Sequence, residues 1–277
     1  MRFWKKKGLK VCIVAMAKSG STALFQAIRT RMSGDVLERF EPQTLDEAKD
    51  YKREQQVLTK IIPFGRDNAG DWEEGFKHFD HRLVLVRDPR DLILSGIFFT
   101  PQLTNYKLWN DDDKLDGLIR RLTLKIDAPK AHNMFGDVME DFSAQWYSNI
   151  AKTYQKLQKQ IDDGGRLIMY DDVVSGNLDG LWQDLRLPRE PLDTENRWGH
   201  VPRTKASGNW RRWFTEADVE ALRPHVDPVL QMFEGLDPNW DLAKSPELTP
   251  AESIDYIVKT VNITRRRLNH PEWTPNP

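Results

Sequence analysis

The chain has 277 residues, 41 Lys+Arg against 42 Asp+Glu, a net charge of −1 and 39% hydrophobic content. That is enough for one large α/β domain, or two small ones, and for a sizeable core. The near-neutral balance excludes a chain-wide basic surface for nucleic acid or an anionic membrane, so any anion site has to be a local cluster.

The single cysteine, Cys12, rules out an intrachain disulfide and favours a cytoplasmic or cytosol-facing protein. The N-terminus, basic MRFWKKKGLK followed by apolar VCIVAMA, imitates a signal peptide with Ala15-Met16-Ala17 as its cleavage site. Cleavage there would remove the segment that delivers Lys18, and the apolar run is short. Val11 to Ala17 therefore reads as a fully buried strand, with Cys12 as a small buried thiol. No apolar run is long enough to cross a bilayer.

A helix is expected over 23–32, with Leu24, Ala27, Ile28 and Met32 on one face. Residues 42–54 read as an exposed helix, and QQVLTKII, ending at Ile62, as a second strand stopped by Pro63. FGRDNAGDWEEGFK reads as loop and a short helix. HRLVLVR, from His81 to Arg87, is the third strand. Asp88 then suits a helix cap, Pro89 the first helical position and Asp91 the first turn of a helix over 89–99.

Residues 100–140, with NDDDK and several Pro and Gly, read as irregular and as a candidate lid or acceptor-binding segment. An amphipathic helix follows over 142–161, carrying Phe142, Trp146, Ile150, Tyr154, Leu157 and Ile161 on one face and ended by Gly164-Gly165. RLIMY, Arg166 to Tyr170, is the fourth strand. After residue 187 the chain is loop-rich up to RTKASGNWRRWFT, with helices from Glu216 and over 250–268 and an extended tail. Strands alternating with helices imply a parallel sheet covered on both faces, in one domain spanning 1–277.

The strand-to-helix joint reads Lys18-Ser19-Gly20-Ser21-Thr22. A helix N-terminus offers unpaired N–H groups and roughly half a positive charge. The glycine allows close approach, the hydroxyls add donors, and Lys18 adds a point charge, which together suit phosphate or sulfate. It is not a Walker A loop, because the lysine precedes the glycine. The competing account is an ordinary turn with a helix cap. Arg87 and Ser95, eight residues apart in VRDPRDLILSG, suit the same groove at the carboxyl ends of the strands. The competing account for Arg87 is a pair with Asp88 or Asp91. Arg203, Lys205, Arg211 and Arg212 make a basic loop around Ser207-Gly208, or else a solvated surface.

Together these stretches resemble the PAPS-dependent sulfotransferases, which use 3′-phosphoadenosine 5′-phosphosulfate. KSGST is similar to that family's 5′-phosphosulfate loop and VRDPRDLILS to its 3′-phosphate motif. RTKASGNWRRWFT is similar to its late loop RKGxxGDWKxxFT, and MYDDVV to its YEDL stretch. The four blocks occur in the family's order and cover most of residues 10–215.

The resemblance implies a P-loop-like α/β fold with PAPS as donor, its bisphosphate PAP as product, and no metal. Lys18 would contact the bridging oxygen and the transferring sulfonate, with Ser19, Gly20, Ser21 and Thr22 cradling the 5′-phosphate. Arg87, Ser95 and Arg203 would bind the 3′-phosphate, with Thr204 and Lys205 in the same late loop, and Tyr170 would lie near the adenine.

The chain departs from the family where Ala23 replaces an aromatic residue, Thr204-Lys205 replaces Lys-Gly, and Asn209 replaces aspartate. The phenol- and steroid-acting members take their base from the histidine of a KTH stretch. Here the strand reads VLTKIIP, with Lys60 but no histidine. ERFEP resembles the FEP stretch of carbohydrate-acting members, which makes Glu41 the candidate general base beside Lys60, against the plainer reading of a surface glutamate and a solvent-facing lysine.

The expected activity is transfer of a sulfonate to an acceptor hydroxyl, with a carbohydrate or glycolipid favoured. Asp111-Asp112-Asp113 reads as a solvated loop, and His78 and His81 lack a third metal ligand. The alternatives are a catalytically inactive nucleotide-binding relative and a P-loop nucleotide or small-molecule kinase, whose Walker lysine is absent.

Overall fold

The computed structural model describes residues 7–62, 75–105, 107–140, 147–192 and 207–276. Its contacts divide the chain into two compact units. One comprises Met1–Arg87 and Thr153–Val201, the other Asp88–Lys152 and Pro202–Pro277.

Among the described residues the first unit holds five strands: β1 (Lys10–Ala15), β2 (Val36–Phe40), β3 (Gln56–Ile61), β4 (His81–Val86) and β5 (Arg166–Met169). They form one all-parallel sheet in the order β2-β3-β1-β4-β5. The helices of this unit are α1 (Ser21–Arg29), α2 (Leu45–Lys49), α5 (Ile150–Asp162, from Thr153 onward), α6 (Tyr170–Ser175) and α7 (Asp179–Leu185). This is the expected α/β class, a parallel sheet flanked by helices.

From Val11 onward the central strand β1 is apolar without alternation, and every one of its residues is buried. On one face Val11, Ile13 and Ala15 meet Leu24, Phe25 and Ile28 of α1 and Leu181, Trp182 and Leu185 of α7. On the other face the last turn of α5 meets β4. A Cβ on Gly165 would lie 2.5 Å from the Gln160 carbonyl oxygen and 2.9 Å from Val84 Cγ2, so only glycine allows this approach.

Several elements differ from the sequence reading. Strand β2 was not anticipated, and β3 is therefore the third strand rather than the second. The exposed helix over 42–54 is only the five residues of α2. Strand β1 stops at Ala15 and α1 starts at Ser21, which leaves Met16–Gly20 as a true loop. Tyr170 opens α6 instead of closing the strand. Most of FGRDNAGDWEEGFK, and Phe142 and Trp146 of the helix expected over 142–161, lie outside the described residues.

The second unit is built on α3 (Pro89–Phe99), α4 (Asp112–Asp127), α8 (Trp210–Trp213), α9 (Glu216–Leu230) and α10 (Ile254–Arg267). The predicted start of α3 is observed: Asp88 caps Arg90 N and Pro89 opens the first turn. Helices α9 and α10 pack against α3. The Phe98 and Trp213 rings meet edge to face at 4.9 Å.

The segment 100–140 is not irregular, because it carries the sixteen residues of α4. Asp111 caps that helix through Lys114 N, with Asp112 and Asp113 in its first turn. The acidic run is thus a helix start and not a solvated loop. The tail is pinned: Trp273 is buried, and its backbone N–H donates to Asn262 Oδ1 at 2.8 Å. Among the described residues no helix is long and apolar enough to cross a membrane.

Candidate anion and transfer site

The site lies in the first unit, at the carboxyl ends of β1, β3 and β4. Strands β1 and β4 are neighbours, yet the chain visits β2 and β3 on the other side of β1 before reaching β4. The crevice between them is the topological switch point of the sheet, where open α/β sheets take their ligands. The loop after β1 and Arg87 after β4 both open there.

The loop is held in an uncommon backbone conformation. Lys18 has φ +65° and Gly20 φ +86°. Left-handed residues in a short loop turn successive N–H groups toward one concavity, an arrangement that binds anions. Ser19 has its hydroxyl donating to the Met16 carbonyl at 2.7 Å, which braces the loop. Helix α1 begins with Gly20 as its cap, no side chain among the described residues caps its first N–H groups, and its first turn contains no acid. The helix N-terminus therefore lacks the internal anion or cap that most helices carry.

Cations converge on this end. Burial first, then Arg87 and Lys60, lower the Lys18 ammonium from the ordinary lysine value to about 8. Arg87 is 5% exposed. Its Nη1 donates to the Lys18 carbonyl at 2.7 Å, and its own carbonyl accepts from the buried Tyr154 hydroxyl at 2.6 Å. Its Nε is buried with no hydrogen-bond partner among the described residues. Asp88 engages Arg90, at 2.6 Å, and Asp91 accepts from Gly208 N at 2.5 Å and Trp210 N at 3.2 Å, both inside the second unit.

Lys60 and Glu41 also meet here. Lys60 Nζ lies 2.6 Å from Glu41 Oε1 and 3.1 Å from Thr22 Oγ1, and it sits 3.9 Å above the Phe40 ring. The Lys60 side chain is 3% exposed and that of Glu41 36%. Lys60 is therefore not a strand-end lysine in solvent, and burial lowers its pKa while Glu41 raises it. Thr22, in the first turn of α1, joins this pair to the loop.

Tyr170 is buried with the Arg87 guanidinium 4.3 Å from its ring centroid. Ser95 is half-buried on α3, in the second unit. Arg203, Thr204 and Lys205 lie outside the described residues. The structure thus brings Lys18, Gly20, Ser21, Thr22, Glu41, Lys60, Arg87 and Tyr170 to one end of the sheet. Sequence reasoning assigned no role to Tyr154, which anchors Arg87, or to Phe40, which underlies Lys60. Tyr154 was visible only as one of the apolar positions of its helix.

Burial pushes the Cys12 thiol up, so it stays protonated in the core. Among the described residues no group of His, Cys, Asp and Glu could hold a metal ion. A cavity of about 270 Å³ lined by Arg82, Arg166 and Asp184 opens at the amino ends of β4 and β5, away from the loop. No family model matches the chain, nor does any curated protein or solved structure.

Proposed function

We propose that this chain is a PAPS-dependent sulfotransferase acting on an acceptor hydroxyl, with a carbohydrate or glycolipid as the favoured acceptor class. The observation that carries the reading is Arg87: a buried guanidinium at the N-terminus of α1, with no partner for its Nε among the described residues. A buried guanidinium N–H without an acceptor is costly, and a bound anion offsets that cost.

The residues present fit the donor. The N–H groups of Ser21 and Thr22 have no intrahelical acceptor and suit its 5′-phosphate, and Gly20 leaves the backbone open to it. Arg87 suits its second phosphate. The donor supplies a sulfonate on a phosphate leaving group.

Lys18 places its ammonium where charge grows on the leaving oxygen. Glu41, held by Lys60, accepts the hydroxyl proton as the acceptor oxygen bonds to sulfur and the sulfur–phosphate oxygen bond breaks. The two halves of this arrangement meet at Thr22, which follows the loop in the first turn of α1 and accepts a hydrogen bond from Lys60. The sugar preference rests on the FEP stretch and on the absence of a histidine after Lys60. Cytoplasmic placement rests on the lone cysteine.

Calorimetric binding of adenosine 3′,5′-bisphosphate against ADP, with wild type and Arg87→Ala, tests the reading. Selective binding of the bisphosphate, lost in Arg87→Ala, is expected. Equal binding of both nucleotides, or none, rejects it. Binding without turnover on any hydroxyl acceptor identifies an inactive relative.

A further inference from the structure

The resemblance to sulfotransferases implies that Tyr170 lies near the adenine, yet its ring is already engaged. Tyr170 is 6% exposed. The Arg87 guanidinium carbon lies 4.3 Å from the ring centroid, a close cation–π stack. The ring edge abuts the loop, where a Cβ on Gly20 would come within 2.5 Å of Tyr170 Cε2 and 2.6 Å of Cδ2. A ring stacked on a guanidinium and wedged against glycine backbone offers little surface to a nucleobase.

The same contacts give the ring another task. Arg87 is a long side chain with many rotamers, and a free guanidinium loses that freedom on binding an anion. Here Nη1 is tied to the Lys18 carbonyl and the Tyr154 hydroxyl fixes the Arg87 backbone. The Tyr170 ring packs against the fork, and Nε has no partner among the described residues. The ring also couples this fork to Gly20, at the cap of the anion loop.

We infer that Tyr170 is a positioning residue for Arg87 and thereby sets selectivity for a ligand phosphate at Arg87, rather than serving as an adenine platform. The inference rests on the proposed reading of Arg87 as a phosphate contact. An adenine platform contributes equally to every adenine nucleotide, whereas a positioning residue contributes only to ligands that reach Arg87.

The test uses the full chain with Tyr170→Leu, which removes the ring, and Tyr170→Phe, which keeps it. Two readouts are taken: calorimetric affinity for adenosine 3′,5′-bisphosphate and for AMP, and the rate at which phenylglyoxal modifies each arginine, followed by peptide mass spectrometry. In Tyr170→Leu, bisphosphate affinity falls at least tenfold and AMP affinity less than twofold. Arg87 is modified several-fold faster while the other arginines keep their rates. Tyr170→Phe matches wild type in both readouts.

A parallel loss of both nucleotides in Tyr170→Leu overturns the inference in favour of an adenine contact. An unchanged Arg87 rate overturns it outright, and faster modification of all arginines marks a merely structural ring. If wild type shows no preference for the bisphosphate, the donor reading fails, and the Arg87 rate alone decides the role of Tyr170 in the same directions.

Discussion

Lys60 and Glu41 are joined twice: the Lys60 ammonium lies 2.6 Å from Glu41 Oε1, and Glu41 N donates to the Lys60 carbonyl at 2.9 Å. The cause is strand register. Phe40, the last residue of β2, lies opposite Lys60 in the parallel ladder, so the first residue beyond β2 meets Lys60 at its backbone. Glu41 adopts φ +54°, a costly conformation for a non-glycine residue. That conformation turns the chain out of the sheet and leaves the carboxylate beside the cation, at the end of the sheet where the loop Met16–Gly20 lies.

Removing the carboxylate separates chemistry from stability. Glu41→Gln keeps a hydrogen-bond acceptor for Lys60 but no base. Turnover on a hydroxyl acceptor is expected to fall by about 10²–10⁴-fold, with bisphosphate affinity held within a few-fold. Glu41→Ala leaves the buried Lys60 with the Thr22 hydroxyl and the Phe40 ring. It is expected to cost about 1–2 kcal/mol in urea unfolding, well below a fully buried pair because Glu41 is partly open to solvent. Unchanged turnover in Glu41→Gln assigns proton removal to another group.

Glycine is required at position 20 for two independent reasons, and a second glycine separates them. Gly20→Ala combines φ +86° with a clash against the Tyr170 ring. Gly176→Ala meets a similar φ of +79° with nothing within 4 Å. The second substitution is expected to cost about 1 kcal/mol. The first should cost roughly 2–3 kcal/mol and weaken sulfate binding as well. Equal losses in thermal unfolding rule out the ring contact as a constraint on the loop.

The parts of this molecule that were legible in its sequence are those fixed locally. Asp88-Pro89 announces the start of α3 by cap and ring geometry, and the unalternating run after Lys10 announces a strand buried on both faces. Strand β2 was missed because VLERF carries two charges in five residues at the sheet edge, where burial is partial. Helix α4 is hard to see in the sequence because three successive aspartates resemble a charged loop. The same aspartates form a helix cap and first turn, and Leu115, Leu118, Ile119 and Leu122 follow at helical spacing. Glu41 and Lys60 could be named from motifs, but their meeting depends on a parallel register that no local pattern encodes. The Tyr170–Arg87 stack likewise joins residues far apart in the chain.

Asp91 was read as a first-turn acid, and in the structure it does more. Its carboxylate accepts from the Gly208 and Trp210 amides while it is 1% exposed. Asp91→Ala strands both donors and is expected to cost about 2–4 kcal/mol, whereas Asp91→Asn, which keeps one oxygen acceptor, costs less. Hydrogen exchange checks it: the Gly208 and Trp210 amides should lose protection in Asp91→Ala beyond the global loss. Protection that falls only in step with global stability removes Asp91 as a local clamp.

Lys18 gives the pH dependence. Its folded value of about 8 lies below the unfolded value of ~10.4. Between these limits the unfolded chain holds a proton that the folded chain has released, so this group adds stability as pH rises from 8 toward 10. Below pH 8 the folded chain must carry a third ammonium or guanidinium charge beside Arg87 and Lys60, and the contribution is absent. Lys18→Met should therefore be more stable than wild type at pH 7 without ligand, with the gap closing above pH 8. Anion affinity runs the other way, since an anion favours the ammonium. Sulfate binding by wild type should weaken through pH 8, and Lys18→Arg, charged throughout, should lose that inflection. Urea unfolding and sulfate calorimetry from pH 6.5 to 9.5 read both. A wild-type and Lys18→Met stability difference that stays constant with pH shows that Lys18 carries no lowered pKa. A sulfate inflection that persists in Lys18→Arg assigns the titration to a different group.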